Sequence, residues 1–208
     1  VQKPSRRVNP HAPVTIVQRP PYVSRGGEKL AGALDAFPIH VEGMTCADVG
    51  ASTGGFTDCL LKRGAEKVYA IDVGHGILHY RLRNHPRIVV MERTNARHLT
   101  RDHIPEPVEV IVCDASFIGL ETLLPAPLSL AAPGAVLVSL IKPQFEVGKG
   151  RVGKGGIVTD PALHEEVCAR ISSWLGARPG WTVLGVCDSP IAGAEGNKEF
   201  LIAARHDG

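Results

Sequence analysis

The chain has 208 residues, 44% of them hydrophobic and 21% charged, with a formal net charge of +2. That length holds one well-buried α/β domain and is short for two, and so even a charge balance says little about partners. The longest apolar run, Ala131 to Ile141, is 11 residues and contains Pro133 and Gly134; a bilayer-spanning helix takes roughly 20, so neither a membrane segment nor a signal peptide is expected.

Charge is distributed unevenly. Lys3, Arg6, Arg7, Arg19, Arg25 and Lys29 face only Glu28 within the first 30 residues. A basic arm for an anionic partner and a solvated tail both fit this charge. Pro4, Pro10, Pro13, Pro20 and Pro21 interrupt any helix, so residues 1–23 read as a linker. The chain opens on Val1 rather than Met, which fits a fragment that follows another domain, or a trimmed tail.

From Ser24, a candidate helix cap, Leu30, Leu34 and Phe37 recur at helical spacing until Pro38. Short apolar runs rich in β-branched residues then predict strands at Thr45–Val49, Lys67–Val73, Arg87–Val90, Val108–Cys113 and Ala135–Ile141. Helix-compatible stretches at Phe56–Arg63, Leu78–Arg83 and Phe117–Ala131 separate them. After Pro161 a further helix runs to about Leu175, and Thr182–Val186 with Glu199–Ala204 predict a closing antiparallel hairpin. Alternation of this kind implies an α/β fold with a mainly parallel sheet and helices on both faces.

The first strand ends in Asp48-Val49-Gly50, followed by Ala51-Ser52-Thr53-Gly54-Gly55 and a helix from Phe56. In a doubly wound sheet this turn is where a nucleotide-like ligand sits, and glycines let it approach the main chain. The spacing G-x-x-x-G-G differs from the dinucleotide pattern G-x-G-x-x-G and lacks the glycines expected around a pyrophosphate. Asp72 closes the second predicted strand, where a carboxylate accepts hydrogen bonds from ribose hydroxyls. A second glycine-rich run, Gly148 to Gly155, falls one residue short of a P-loop: Gly155 stands where Ser or Thr must supply a hydroxyl to magnesium.

Ligands meet open α/β sheets at the carboxyl ends of the strands. Asp114 follows the fourth predicted strand and Lys142 the fifth. A carboxylate with lysines can remove the proton of a weakly acidic hydroxyl. Lys29 and Glu199 fit a place at the same site and a surface ion pair equally well. The five cysteines, Cys46, Cys59, Cys113, Cys168 and Cys187, show no C-x-x-C pairing; no metal is expected, and reduced thiols point to the cytoplasm.

Residues from about Tyr22 to Arg205 resemble the TlyA (hemolysin A-like) ribosomal RNA 2′-O-methyltransferases, relatives of the FtsJ/RrmJ type. The likeness rests on Ser24-Arg25-Gly26-Gly27-Glu28-Lys29-Leu30, Asp48 to Thr57, Asp72-Val73-Gly74-His75-Gly76 and Glu92-Arg93-Thr94-Asn95-Ala96-Arg97. It continues through Asp114-Ala115-Ser116-Phe117-Ile118, Ile141-Lys142-Pro143-Gln144-Phe145-Glu146 and Gly196-Asn197-Lys198-Glu199. The resemblance implies a Rossmann-like class I methyltransferase domain over 24–208, with a seven-stranded, mainly parallel sheet and a C-terminal antiparallel strand. It implies an N-terminal S4 RNA-binding domain ahead of the arm.

It further implies that S-adenosyl-L-methionine is held by Asp48, Gly50, Ala51, Ser52, Thr53, Gly54, Gly55, Phe56, Asp72, Val73, Asn95 and Asp114. A tetrad of Lys29, Asp114, Lys142 and Glu199 is implied, with Lys142 steering or deprotonating a ribose 2′-hydroxyl, that of a cytidine. The expected partner is ribosomal RNA or a ribosomal subunit, met by Arg25, Phe145, Lys149, Arg151 and Lys154, the last three on a basic glycine-rich loop. Phe117 and Phe145 flank the tetrad and are placed to stack on the target base, with core packing the preferred role for Phe117. A monomer is expected. The competing readings are methylation of a small acceptor, a hemolysin-like pore former and a non-catalytic RNA-binding module; the basic segments and the two site lysines disfavour the first, and the missing membrane-length segment the second.

Overall fold

The computed structural model describes residues 20–148 and 150–208. Lys3, Arg6, Arg7 and Arg19 of the basic arm, and Lys149 of the glycine-rich loop, lie outside the described residues.

Helix α1 (Gly26–Ala36) buries Leu30, Ala33 and Leu34. Arg25 occupies its N-cap without a side-chain bond, so Ser24 does not cap it with its hydroxyl as expected; the Ser24 carbonyl instead accepts from Gly27 N at 3.2 Å. Strand β1 (Thr45–Val49) feeds α2 (Gly55–Lys62), then β2 (Lys67–Ile71), α3 (Tyr80–Arg83) and β3 (Ile88–Met91). Strand β2 stops two residues before the expected Val73, because the Asp72 carboxylate draws in Gly74 N at 2.7 Å and turns the chain out of the sheet.

Strand β4 (Val108–Cys113) is followed by two single-turn helices, α4 (Leu120–Leu123) and α5 (Pro125–Leu128), then by β5 (Ala131–Ile141). The expected single helix over Phe117–Ala131 is therefore corrected. Phe117 has φ of +65° and stays outside, prolines at 125 and 127 break the ladder, and Ala131 already belongs to the sheet. The chain closes with α6 (Pro143–Glu146), α7 (Pro161–Gly176, capped by Asp160), β6 (Trp181–Asp188) and β7 (Phe200–His206).

The seven strands lie in the order β3-β2-β1-β4-β5-β7-β6, with β7 antiparallel to both neighbours. Successive side chains alternate faces, and two cores result. Ala47, Val49, Ile111, Cys113, Leu137, Ile141 and Ile202 pack against α4, α5 and α7. Cys46, Val110, Val112, Val138, Leu140, Leu201 and Ala203 pack against α1 and α2.

Candidate active site

Pleat parity decides which face carries the site. Val110 and Val112 turn toward α1 and α2, and one more step of two beyond β4 brings Asp114 to the same face. Val138 and Leu140 do the same for Lys142, and counting back from Leu201 does it for Glu199. Ile141 pairs with Phe200, so Lys142 and Glu199 leave the antiparallel ladder side by side. Lys29 comes from α1, whose neighbouring Leu30 and Ala33 belong to that core.

The four groups resolve into two ion pairs. Lys29 Nζ lies 2.5 Å from Glu199 Oε2, with the side chains 10% and 2% exposed. Lys142 Nζ lies 2.6 Å from Asp114 Oδ1. That second contact is electrostatic in geometry; the directed hydrogen bond of the Lys142 ammonium goes to Ser116 Oγ at 3.0 Å. All four members of the expected tetrad are thus brought together.

Two cavities meet at this point. The larger, about 480 Å³, is lined by Gly50, Asp72, Val73, Asn95, Asp114 and Ile118 among others. The smaller, about 240 Å³, is lined by Arg25, Lys29, Ala51, Thr53, Phe56 and Gly193 among others. Gly50, Ser52 and Asp114 line both, so the strand-end carboxylate stands where the two spaces join.

The larger cavity fits an adenosine. Asp72 Oδ2 accepts from Ser52 N at 2.8 Å and Oδ1 from Gly74 N at 2.7 Å, which fixes the carboxylate and leaves a lone pair on each oxygen for ribose hydroxyls. Asn95 and Ala96 offer polar groups at one side, and Ile118 and Leu123 offer apolar surface for a purine. Gly50 has φ of +80°, and a Cβ there would come within 3.0 Å of the Asp114 carbonyl oxygen and Ala115 Cα. Only glycine lets the turn pass under Asp114.

Other expected residues take different places. Asp48 is fully buried and lines neither cavity; its Oδ2 accepts from Thr57 Oγ1 at 2.7 Å, while Oδ1 has no partner. Burial pushes its carboxyl up to about 7, with the nearby Asp114 charge adding to the rise and the Thr57 bond opposing it. Gly54 lines neither cavity and packs on Leu82 and Leu78. Arg25 lines the smaller cavity. Arg151 forms a two-pronged pair with Glu166, at 2.6 and 2.7 Å, and Lys154 is exposed.

Phe117 reverses its expected core role. It is 90% exposed, held at φ +65°, and its ring lies 4.9 Å from that of Phe145. Its backbone turn explains the exposure: the left-handed residue swings the side chain out just after Ser116. Ser116 bonds Lys142 and Gly193 lines the smaller cavity, places that sequence reasoning does not assign, although Ser116 lies in the stretch Asp114–Ile118 that carries the family likeness. Burial pushes the Cys113 thiol, next to Asp114, up to about 12, so it does not serve as a nucleophile.

Among the described residues no three His, Cys, Asp or Glu side chains gather to hold a metal, and no helix is long and apolar enough to cross a membrane.

An open sheet of this order, with its cavities at the strand ends below a glycine turn, defines a class I methyltransferase. The fold is shared with an O-methyltransferase from Bacillus cereus solved in complex with SAH, at a TM-score of 0.57 and 18% identity over 89% of this chain and 84% of that one. The sequence pattern of the FtsJ-like methyltransferases matches residues 22–206, and the chain belongs to that family. The 16S/23S rRNA (cytidine-2′-O)-methyltransferase TlyA of Mycobacterium tuberculosis is 49% identical over 205 residues, 98% of this chain and 76% of that one. A Lactococcus lactis protein described as a hemolysin has a crystal structure matching at a TM-score of 0.86 and 41% identity, over 90% of this chain and 89% of that one.

Proposed function

We propose that this chain transfers the methyl group of S-adenosylmethionine to the 2′-hydroxyl of a cytidine in ribosomal RNA. The carrying observation is the convergence of the Lys29–Glu199 and Lys142–Asp114 pairs beside a cavity that fits adenosine. When bound, the cofactor supplies an electrophilic methyl on a sulfonium. Asp72 would hold its ribose, with Asn95, Ala96 and Ile118 about the base and the turn from Gly50 to Gly55 facing the methionine part.

Lys142 would steer the ribose hydroxyl and, in its uncharged form, would accept the hydroxyl proton as the oxygen takes the methyl group that the bound cofactor supplies. Asp114, at 2.6 Å, stabilises the ammonium that results, and Ser116 Oγ at 3.0 Å fixes its direction. Much of the rate comes from holding two reactants in line. The Lys29–Glu199 pair adds a second charge-balanced wall to the acceptor side.

The exposed Phe117 supports a nucleic-acid acceptor over a small one. A solvent-facing ring beside the reacting groups suits stacking of an unpaired base, and Phe145 backs it. Arg25 and Lys154 would meet phosphates, and Arg151 would do so only on leaving Glu166; Lys149 belongs to the same proposal. A ribosomal substrate places the protein in the cytoplasm.

Transfer from labelled cofactor to ribosomal RNA, alongside small hydroxyl acceptors, tests this. Labelled RNA that loses its label with Lys142→Ala is expected. Label on a small acceptor alone, or equal transfer by Lys142→Ala, would sink it.

A further inference from the structure

Asn197 is 3% exposed and spends its whole side chain on two loops that carry different halves of the site. Its Oδ1 accepts from Val158 N at 3.1 Å, and its Nδ2 donates to the Gly156 carbonyl at 3.0 Å. These bonds fasten the exit of the glycine-rich loop. The same Nδ2 donates to the Ala194 carbonyl at 3.2 Å, while the Asn197 backbone carbonyl accepts from Gly193 N at 2.8 Å. These fasten the turn ahead of Glu199.

That turn lies directly on the catalytic carboxylate. A Cβ on Gly193 would fall 1.9 Å from Glu199 Oε1, and Gly193 and Ala194 line the smaller cavity beside Lys29. Inside the turn Glu195 is held at φ +55°, a conformation that persists only when its surroundings impose it. On the other side, Val158 is gripped a second time: its carbonyl accepts from His164 Nε2 at 2.8 Å, and that ring is packed edge-on against Phe200. The Arg151–Glu166 pair is a second tie between the loop and α7.

The contacts therefore run from Gly156 and Val158, at the exit of the loop that carries Lys154, through Asn197 to Gly193, which lies against Glu199, the partner of Lys29. We propose that Asn197 is a positioning residue that couples the glycine-rich loop to the Lys29–Glu199 pair, so that RNA phosphate held by the loop sets the geometry of the acceptor side. The RNA part of this rests on the function proposed above; the coupling of the two loops does not. All three partners of the Asn197 side chain, Val158 N and the Gly156 and Ala194 carbonyls, are backbone groups, so the link is independent of what side chains the loops carry. An energetic link of this kind rests on an element both sites contact.

A double-mutant cycle of Asn197→Ala with Lys154→Ala, scored in two ways, tests it. The first score is amide hydrogen exchange, which needs no substrate. Asn197→Ala should speed exchange about tenfold or more both at Gly153–Val158 and at Gly193–Glu199, and leave Gly50–Thr57 unchanged. The second is methyl transfer to ribosomal RNA. Lys154→Ala should raise KM in both backgrounds but lower kcat only where Asn197 is present. Exchange that changes in one segment alone, exchange that spreads to Gly50–Thr57, or an equal kcat loss in both backgrounds overturns the coupling.

If the wild-type chain binds S-adenosylmethionine but methylates no ribosomal RNA, the proposed function fails and the exchange result alone judges the coupling. Should Asn197→Ala not fold, Asn197→Asp keeps the acceptor for Val158 N and loses the donor to Gly156 and Ala194. It is then scored by the same criteria.

Discussion

The ammonium of Lys29 and the carboxylate of Glu199 stand 2.5 Å apart across 170 residues of sequence, both almost wholly withdrawn from water. Removing one partner strands the other charge in the core. Glu199→Gln or Lys29→Met should each cost about 3–5 kcal/mol, whereas the double variant Lys29→Met with Glu199→Leu should recover most of that stability and remain inactive. Urea unfolding of the three variants, with their methyl-transfer rates, checks this; additive losses in the double variant would contradict it.

Phe117 makes the opposite trade. Its ring is exposed and its φ of +65° is strained, so it contributes little to folding. Phe117→Gly should unfold at the same or a higher urea concentration, gaining about 1 kcal/mol from relief of the backbone. Its kcat/KM on ribosomal RNA should fall by about 5- to 100-fold, the worth of one stacked base. An unchanged rate would show that the base does not rest there.

Asp48 predicts a dependence on pH. Burial raises its carboxyl from 3.8 to about 7 in the folded chain. Between pH about 4 and 7 the folded state therefore binds one more proton than the unfolded state, so stability falls as pH rises through that window and levels off above it. Urea midpoints should decline from pH 5 to 7, and Asp48→Asn should flatten the decline. Midpoints that rise from pH 5 to 7 would reverse this account.

Gly50 separates cofactor binding from overall folding. Gly50→Ala adds a methyl 3.0 Å from the Asp114 carbonyl and holds an L-residue at φ +80°. The strain should cost about 1–3 kcal/mol and push the strand-end turn away from Asp114. Cofactor affinity should fall at least tenfold by calorimetry while the far-ultraviolet dichroism is unchanged.

Where sequence and structure agree, the cause is local periodicity. Asp114 and Lys142 are legible because each sits at a fixed step past an apolar strand, and the alternation that buries Val112 and Leu140 aims them. The turn from Gly50 to Gly55 is legible because its backbone needs glycine. Lys29 with Glu199 is legible only through family likeness, since no periodicity reports a contact across 170 residues. An aromatic beside a helical stretch reads as core, and one positive φ, invisible in composition, turns Phe117 outward. Asn197 is marked only as part of the stretch Gly196–Glu199 that carries the family likeness; its three side-chain bonds go to backbone groups, which every residue has, so no partner pattern shows what it holds.

Strand β7 slots between β5 and β6, although it is made after both. Strand β6 reaches the rest of the sheet through β7, and Glu199 directly precedes β7, so the last strand of the chain both completes the sheet and sets the counterion of Lys29.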